Sequence, residues 1–266
     1  MPPFAALKAN ELPSDITAMT ATQLSVAIRQ RAVSCREVMR AYLARIERYN
    51  PVYNAIVSQL DTDELLGLAD VADQDLDRGI VHGWMHGMPH AVKDLANVRG
   101  LPTSYGSPLF AGTIATDDDF SIARIRTAGP IFIGKTNAPE FGFGSQSYNP
   151  VFGATGCAYD AALTAGGSSG GAACGLATQM LPVADGSDMM GSLRNPGAFN
   201  NVIGFRPTQG RVPDPSGDLF YQQLATDGPM GRNSEDTFAP WPACIRRVPC
   251  RSAIPSRPPS ISSRCH

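Results

Sequence analysis

The sequence predicts an α/β fold in which a mixed sheet is flanked by helices. Segments with the four-residue apolar repeat of amphipathic helices alternate along the chain with short apolar runs that are typical of buried strands. With 266 residues, of which 43% are hydrophobic and 17% charged, the chain is globular in composition and long enough to bury one sizeable core. Such an alternation is typical of mixed sheets that carry helices on both faces.

Composition also excludes several classes of protein. A formal net charge of −2 gives no reason to expect nucleic acid or an acidic membrane surface as a partner. The N-terminus lacks a charged segment followed by an apolar run, and no later apolar segment is long enough to span a bilayer. The six cysteines follow neither disulfide nor metal-site spacing, which favours a reducing compartment. We therefore expect a cytoplasmic protein.

The N-terminal part of the chain is predicted to be helical. Thr20 with Gln23, and Ser34 with Glu37, have the spacing of capping boxes. Apolar residues recur every four positions behind each pair. Two helices are therefore expected, and the second is expected to end near Pro51.

The central part of the chain alternates helices with strands. A helix with one polar face is expected over residues 63–76, and another helix over residues 118–127. One apolar run ends at Lys93 and a second covers residues 131–133, and each of these runs predicts a strand.

Three histidines at four-residue intervals, His82, His86 and His90, raise the question of a metal site. Glycines and a proline between them interrupt any helix that would place the three side chains on one face. We therefore expect no metal here.

Two loops that combine serine with glycine lie farther along the chain. The first, residues 166–171, holds two serines inside four glycines, which lets the backbone adopt unusual conformations or approach another segment closely. The second, residues 187–192, follows an apolar run over 180–184 that predicts a strand. Ser192 would then lie just beyond a strand end, where α/β sheets place their chemistry.

Other interpretations of these loops are less favoured. Glycine-serine runs are usually flexible linkers, and a phosphate-binding loop would need a Gly-Lys-Ser/Thr sequence that is absent. Lys93 favours a catalytic interpretation, because it follows an apolar run and is expected to be buried. A buried lysine loses its proton readily and becomes a base.

These segments together resemble the amidase signature family of serine hydrolases over residues 20–236. The motifs that carry the resemblance are Val92-Lys93-Asp94, the glycine-serine loop 166–171 and the segment 186–196, with further matches at 134–141 and 204–208. The spacing also fits, since Ser168 follows Lys93 by 75 residues and Ser192 follows Ser168 by 24. The resemblance implies a mixed α/β fold of the amidase signature type.

The resemblance also implies a catalytic triad, in which Ser192 is the nucleophile, Ser168 is a bridging serine on a cis peptide and Lys93 is the base. Ser169 would support the loop. A serine hydroxyl is a poor nucleophile until a neighbouring base takes its proton. A neutral Lys93 can do so through the hydroxyl of Ser168, which both donates and accepts a hydrogen bond.

The resemblance further implies an oxyanion hole and a brace around the second loop. The oxyanion hole would consist of the backbone N–H groups of Met189, Met190, Gly191 and Ser192. The commonest family pattern has glycine where this chain has Met190, so a positive φ there would strain the methionine. Asp188 and Arg194 would either brace the loop or form an ordinary exposed ion pair.

The expected activity is hydrolysis of a carboxylic amide to an acid and ammonia or an amine, through an acyl-serine intermediate and without cofactor or metal. The partner would be a small-molecule amide, and a homodimer is one expected assembly. Lys135 is the rival base, but its Gly-Lys-Thr-Asn context resembles a structural motif. The alternatives are an amidase-type subunit of a tRNA-dependent amidotransferase, or a catalytically inactive relic.

The end of the chain departs from the family. Residues 237–266 are rich in proline, arginine and serine and contain no Asp, Glu, Lys, Gly or Leu, a composition that cannot bury a core. Regrouping the codons of residues 240–245 by one base permits an apolar helical run. The expected organisation is an extension over 1–19, the N-terminal part of an amidase signature domain over 20–236, and an irregular, out-of-frame tail in place of the C-terminal half.

Overall fold

The computed structural model describes residues 13–213 and 224–239. The helices of this part are α1 (Ala21–Arg29), α2 (Cys35–Tyr53), α3 (Thr62–Asp77), α4 (Phe120–Arg126), α5 (Gly170–Ala177), α6 (Arg194–Phe199) and α7 (Ser234–Phe238). The strands are β1 (Ile56–Val57), β2 (Pro89–Lys93), β3 (Ile131–Thr136), β4 (Tyr148–Asn149), β5 (Gly153–Ala154), β6 (Gly156–Cys157), β7 (Asp160–Thr164), β8 (Ala184–Asp188), β9 (Ile203–Gly204) and β10 (Thr226–Gly231).

Both predicted capping boxes are present at the starts of α1 and α2. The side chains of Thr20 and Ser34 accept hydrogen bonds from the backbone N–H groups three residues ahead. In return, the side chains of Gln23 and Glu37 accept hydrogen bonds from the backbone N–H groups of Thr20 and Ser34. Helix α2 ends at Tyr53, two residues beyond the predicted end near Pro51. A proline this close to a helix end removes a single backbone hydrogen bond, and the helix continues until Asn54, in a left-handed conformation, ends it.

The predicted helix over residues 63–76 is α3, and the one over 118–127 is the shorter α4. The predicted strand at 180–184 is wrong, because β8 begins only at Ala184. The backbone N–H groups of Met180 and Leu181 both donate to the carbonyl of Gly175. These residues therefore close the end of α5 and are not available to a sheet. The strand predicted over 131–133 extends in β3 to Thr136.

Two three-stranded sheets form the centre of the molecule. In the first sheet, β3 lies between β2, to which it is parallel, and β1, to which it is antiparallel. In the second, β10 lies between β8 and β9 and is antiparallel to both. Strands β2 and β8 contact each other, and α5 contacts strands of both sheets. The mixed α/β fold is therefore confirmed, and the two glycine-serine loops lie where the sheets meet.

One continuous apolar core joins the helices to these sheets. It includes side chains of α1 and α2, such as Leu24 and Tyr42, together with Ile133 of β3 and Leu176 of α5. Among the helices that the structure describes, none is both long enough and apolar enough to cross a membrane.

The predicted domain boundaries stay predictions. Within the predicted N-terminal extension, Met19 is buried, and Arg232 donates a hydrogen bond to the carbonyl of Thr17. Helix α7 continues to Phe238. Residues 240–266, which make up most of the predicted out-of-frame tail, lie outside the described residues.

Candidate active site

Lys93 is the last residue of β2, and its amine contacts the serines of both loops. The side chain is buried. Its Nζ lies 2.7 Å from Oγ of Ser168 and 2.8 Å from Oγ of Ser169. The same nitrogen lies 3.0 Å from Oγ of Ser187 and 3.3 Å from the Ser187 carbonyl oxygen. Among the described residues, the hydrogen-bond partners of the amine are therefore hydroxyls and a carbonyl rather than carboxylates.

This environment changes the acidity of the amine. Burial lowers the pKa of Lys93 to about 7, because the charged form loses its hydration. The carboxylates of Asp227, Asp185 and Asp188 act in the opposite direction, since each favours the ammonium form. A substantial share of the molecules therefore carries a neutral amine near pH 7, as a general base requires.

The first glycine-serine loop is a packed segment, so the linker interpretation is wrong. Ser168 and Ser169 are buried, and the peptide bond between Gly167 and Ser168 is cis. The loop glycines allow close backbone approach: a Cβ on Gly167 would lie 2.7 Å from the backbone nitrogen of Gln146. Ser169 also donates from its hydroxyl to the Ser187 carbonyl, at 3.3 Å.

Ser192 reaches this cluster through its main chain. Its carbonyl oxygen accepts a hydrogen bond from the backbone N–H of Ser169, at 3.2 Å. The Ser192 side chain is partly exposed, and within the described residues no hydrogen bond joins its hydroxyl to Ser168. The structure thus brings Lys93, Ser168 and Ser169 into direct contact and places the partly exposed Ser192 beside them.

The backbone around Ser192 resolves the question raised by Met190. Gly191 has a φ of +116°, whereas Met190 is not among the described residues with positive φ. The methionine is therefore not strained. The N–H of Gly191 donates to Oδ1 of Asp188 at 2.8 Å. Within the described part of the chain, the N–H groups of Met189, Met190 and Ser192 donate to no protein acceptor.

Asp188 braces this loop from within. Its carboxylate is fully buried and accepts two hydrogen bonds from Arg194, both at 3.0 Å, and one from Arg206 at 2.9 Å. Burial alone would raise the pKa of Asp188, but the hydrogen bonds from Arg194 and from the N–H groups of Leu193 and Gly191 hold it well below its ordinary value. An ordinary exposed ion pair would not contain a buried carboxylate.

Sequence reasoning missed two contributors to the site, Ser187 and Arg206. Both lie in segments that match family motifs, but no role follows from residue type alone. Ser187 directly precedes Asp188 in β8, and its hydroxyl accepts a hydrogen bond from the Lys93 amine. Arg206 lies beyond β9 in sequence and returns to the Asp188 carboxylate, a contact that depends on the pairing of distant strands.

Lys135 is buried beside the site but contacts none of its serines. Its amine donates to the carbonyl of Ala96 and lies 4.0 Å from Oδ1 of Asp94. Burial lowers the pKa of Lys135 to about 8. Asp94 in turn accepts hydrogen bonds from the backbone N–H of Ser104, at 3.1 Å, and from its hydroxyl, at 2.5 Å. Lys135 thus lies within a structural network, away from the glycine-serine loops.

The three histidines face three different partners. Nε2 of His82 lies 2.7 Å from Asp75, that of His86 lies 2.9 Å from the Ala72 carbonyl, and that of His90 lies 3.1 Å from Asp185. Within residues 13–213 and 224–239, no group of three or more His, Cys, Asp or Glu side chains is arranged to hold a metal ion.

The sequence of this chain is similar to those of known amidase proteins. The model of the Amidase family matches residues 37–263. The chain is 38% identical over 223 residues to a glutamyl-tRNA(Gln) amidotransferase subunit of Acidothermus cellulolyticus, covering 84% of this chain and 44% of that protein. It is 36% identical to an acylamidase of Rhodococcus erythropolis, covering 82% of this chain and 46% of that one.

The fold of this chain is also similar to those of solved amidase structures. A bacterial aryl acylamidase of the amidase signature family superimposes with a TM-score of 0.80 at 29% identity, covering 85% of this chain and 47% of that chain. The native peptide amidase of Stenotrophomonas maltophilia superimposes with a TM-score of 0.80 at 29% identity, covering 93% and 52%. The chain thus spans about half the length of the relatives it matches.

Proposed function

This chain belongs to the amidase family, and from that membership we propose that it hydrolyses a carboxylic amide to an acid and ammonia or an amine through an acyl-serine intermediate. The observation that carries the proposal is the 2.7 Å contact between a buried Lys93 amine and the Ser168 hydroxyl, next to the backbone of Ser192. Such a chain of base and hydroxyls activates a serine.

In the proposed mechanism, the hydroxyl oxygen of Ser192 attacks the amide carbon. Its proton passes to Ser168 while the proton of Ser168 passes to the neutral amine of Lys93. When the tetrahedral intermediate collapses, the protons return by the same path to the leaving nitrogen. Water then attacks the acyl-serine ester and releases the acid. The Ser168–Ser192 hydrogen bond would form when substrate binds, since such contacts often tighten only in the complex.

Backbone donors would stabilise the oxyanion. The N–H groups of Met189, Met190 and Ser192 are available within the described residues, whereas that of Gly191 is engaged by Asp188. We therefore propose an oxyanion hole that draws on the three available donors. One such donor typically contributes about 3 kcal/mol to the transition state.

The surroundings of the serines favour an apolar substrate group. The side chains of Phe141, Phe143 and Met190 are exposed. The loop that carries the two phenylalanines approaches the site, since a Cβ on Gly142 would lie 3.9 Å from Oγ of Ser168. We propose an aryl or alkyl amide as the substrate class.

The direct test is mass spectrometry after incubation with a fluorophosphonate probe. We expect one adduct, on Ser192, that is absent in Ser192→Ala. Ser145→Ala, which removes an exposed serine of the same region, is the matched control and should keep the adduct. A folded chain without an adduct on Ser192 would contradict the proposal and support the inactive alternative.

A second candidate is a component of an amidotransferase, because a relative of 38% identity carries that name. The chain would then release ammonia from an amide donor such as glutamine and pass it to partner subunits. Release of ammonia from glutamine, with no turnover of aryl or alkyl amides, would favour this candidate. The reverse preference would favour the hydrolase.

We propose a cytoplasmic location, supported by the free thiols of Cys35, Cys157 and Cys174 among the described residues, since reducing compartments keep cysteines unpaired. We also propose a homodimer, supported by the exposed apolar side chains of Leu68 and Val71 on α3. Sedimentation of the purified chain would test the dimer.

A further inference from the structure

The carboxylate of Asp185 connects β8 to β2, and the proposed mechanism does not use it. These strands belong to different sheets yet lie in contact. Asp185 of β8 bridges two residues of β2. Its Oδ2 accepts the backbone N–H of Lys93 at 3.2 Å, and its Oδ1 lies 3.1 Å from Nε2 of His90.

The bridge borders a cavity on one side of Lys93. The cavity has a volume of about 60 Å³, and its polar lining comes from His90, Lys93, Ser121, Asp185, Ser187 and Asp227. His90 is buried, its ring packs edge-on against Phe132, and its Nδ1 has no hydrogen-bond partner among the described residues. Charges in such surroundings are poorly screened, so a carboxylate there acts strongly on a neighbouring amine.

We propose that Asp185, held in place by His90, positions Lys93 and raises the pH at which its amine loses its proton. In this arrangement Asp185 is a positioning residue. It fixes the backbone from which Lys93 reaches Ser168, and its negative charge favours the ammonium form. The consequence for catalysis rests on the proposed function, whereas the effect on the Lys93 proton does not.

The other titratable groups around Lys93 are Asp188 on β8, Asp227 on β10, His90 on β2 and Lys135 on β3, the strand next to β2. The carboxylates of Asp227 and Asp188 also favour the ammonium form, Asp227 most strongly, and Asp185 differs from them in its contact with β2. Asp188 is compensated by the guanidinium groups of Arg194 and Arg206. Asp227 lies opposite Ser187 on β10 and shares the cavity. Of these carboxylates, Asp185 alone hydrogen-bonds to the backbone of Lys93 within the described residues.

The chain offers a readout that does not depend on activity, because it contains only three lysines, Lys8, Lys93 and Lys135. We would label the lysine Cε with ¹³C, titrate by NMR, and assign the Lys93 signal by its loss in Lys93→Ala. In Asp185→Asn we expect the midpoint of Lys93 to fall by about one pH unit, the low end of the effect of one neighbouring charge. Asp160→Asn, an exposed aspartate on β7, is the matched control and should leave the midpoint unchanged.

His90 is tested by replacement and rescue. His90→Phe removes the contact to Asp185 and should produce part of the Asp185→Asn shift. His90→Gln keeps a donor and should restore the midpoint. If Asp185→Asn does not fold, Asp185→Ser takes its place, since it also removes the charge and keeps an acceptor. An unmoved midpoint in a folded, neutral variant at position 185 would overturn the proposal.

Kinetics separate this proposal from the proposed function. If the chain hydrolyses amides, the acid limb of kcat/KM against pH should move in Asp185→Asn by the same shift as the NMR midpoint. A wild-type chain that hydrolyses nothing would contradict the proposed function and leave the NMR test intact. A purely structural role would lower activity equally at every pH, and that outcome would also count against the proposal.

Discussion

At the scale of single residues, the buried Lys93 amine links stability to pH. Its pKa is about 7 in the folded chain against an ordinary 10.5, so between these values the unfolded chain binds more protons than the folded one. The free energy of unfolding therefore rises with pH from about 7 towards 10.5, because the cost of burying a charged amine disappears as the amine loses its proton.

Lys93→Met removes this contribution and keeps the volume of the side chain. We expect the free energy of unfolding of the wild type, measured relative to that of Lys93→Met, to rise by about 1 kcal/mol per pH unit between pH 7.5 and 9. Urea unfolding at several pH values measures it. Comparison within the pair cancels the contributions of Lys135 and the buried thiols. A difference that stays constant with pH would show that Lys93 keeps its ordinary pKa.

Asp188 is the second residue whose charge matters. Asp188→Asn leaves the guanidinium groups of Arg194 and Arg206 without their carboxylate. We expect a loss of about 3 kcal/mol in the free energy of unfolding, as for other buried pairs that lose one partner. Arg194→Ala should cost clearly less, because Arg206 and two backbone N–H groups still reach the carboxylate. Equal losses in the two variants, measured by urea unfolding, would contradict the brace.

The acid limit of stability follows from the same carboxylate. Its pKa in the folded chain lies below the ordinary value, so its contribution is fully present above the ordinary pKa and is lost as the pH falls through the folded one. Asp188→Asn should therefore flatten the loss of stability below about pH 4.

At the scale of elements, the sequence predicts what local chemistry decides. The capping boxes at Thr20 and Ser34 form within single helix turns and are found as predicted. The strand expected at 180–184 is not found, because the backbone of Met180 and Leu181 closes the end of α5.

Contacts between distant elements could not be predicted from local sequence chemistry. The links of Lys93 to Ser187 and of Arg206 to Asp188 depend on how β2, β8 and β9 are placed. Residue type and periodicity do not encode that placement. The resemblance to a family predicts roles for Lys93, Ser168 and Ser192, and the structure adds the residues that support them.

The start of α5 shows how an element can depend on one missing side chain. A Cβ on Gly171 would lie 2.4 Å from the backbone nitrogen of Asn137, at the end of β3. Gly171→Ala should therefore destabilise the chain by about 2 kcal/mol, since overpacking moves backbone, and should reduce labelling of Ser192. Gly67→Ala is the matched control, because Gly67 is also helical and a Cβ there meets nothing within 4 Å. The control should stabilise α3 by about 0.5 to 1 kcal/mol, and thermal unfolding of both variants compares them.

At the scale of the whole molecule, the two ends of the described chain are joined. The fully buried carboxylate of Asp236 in α7 accepts hydrogen bonds from the backbone N–H of Thr22 at 3.1 Å and from its hydroxyl at 3.4 Å. Arg232, just beyond β10, donates to the carbonyls of Thr17 and Met19. The first turn of α1 is thus capped by a residue more than 200 positions later, which ties the N-terminal helices to the second sheet.

This joint makes a prediction about cooperativity. Asp236→Ala leaves the first turn of α1 with an unsatisfied donor and removes the Asn233 contact at 2.9 Å. We expect the free energy of unfolding to fall by about 2 kcal/mol, the usual cost of losing a charged, buried partner. Amide exchange should accelerate in α1 and in β10 together, because the joint connects both. Glu235→Ala, an exposed neighbour on the same helix, should change either measurement little. If exchange accelerated in α7 alone, the two ends would be independent, and α1 would draw its stability from α2 and the core beneath it.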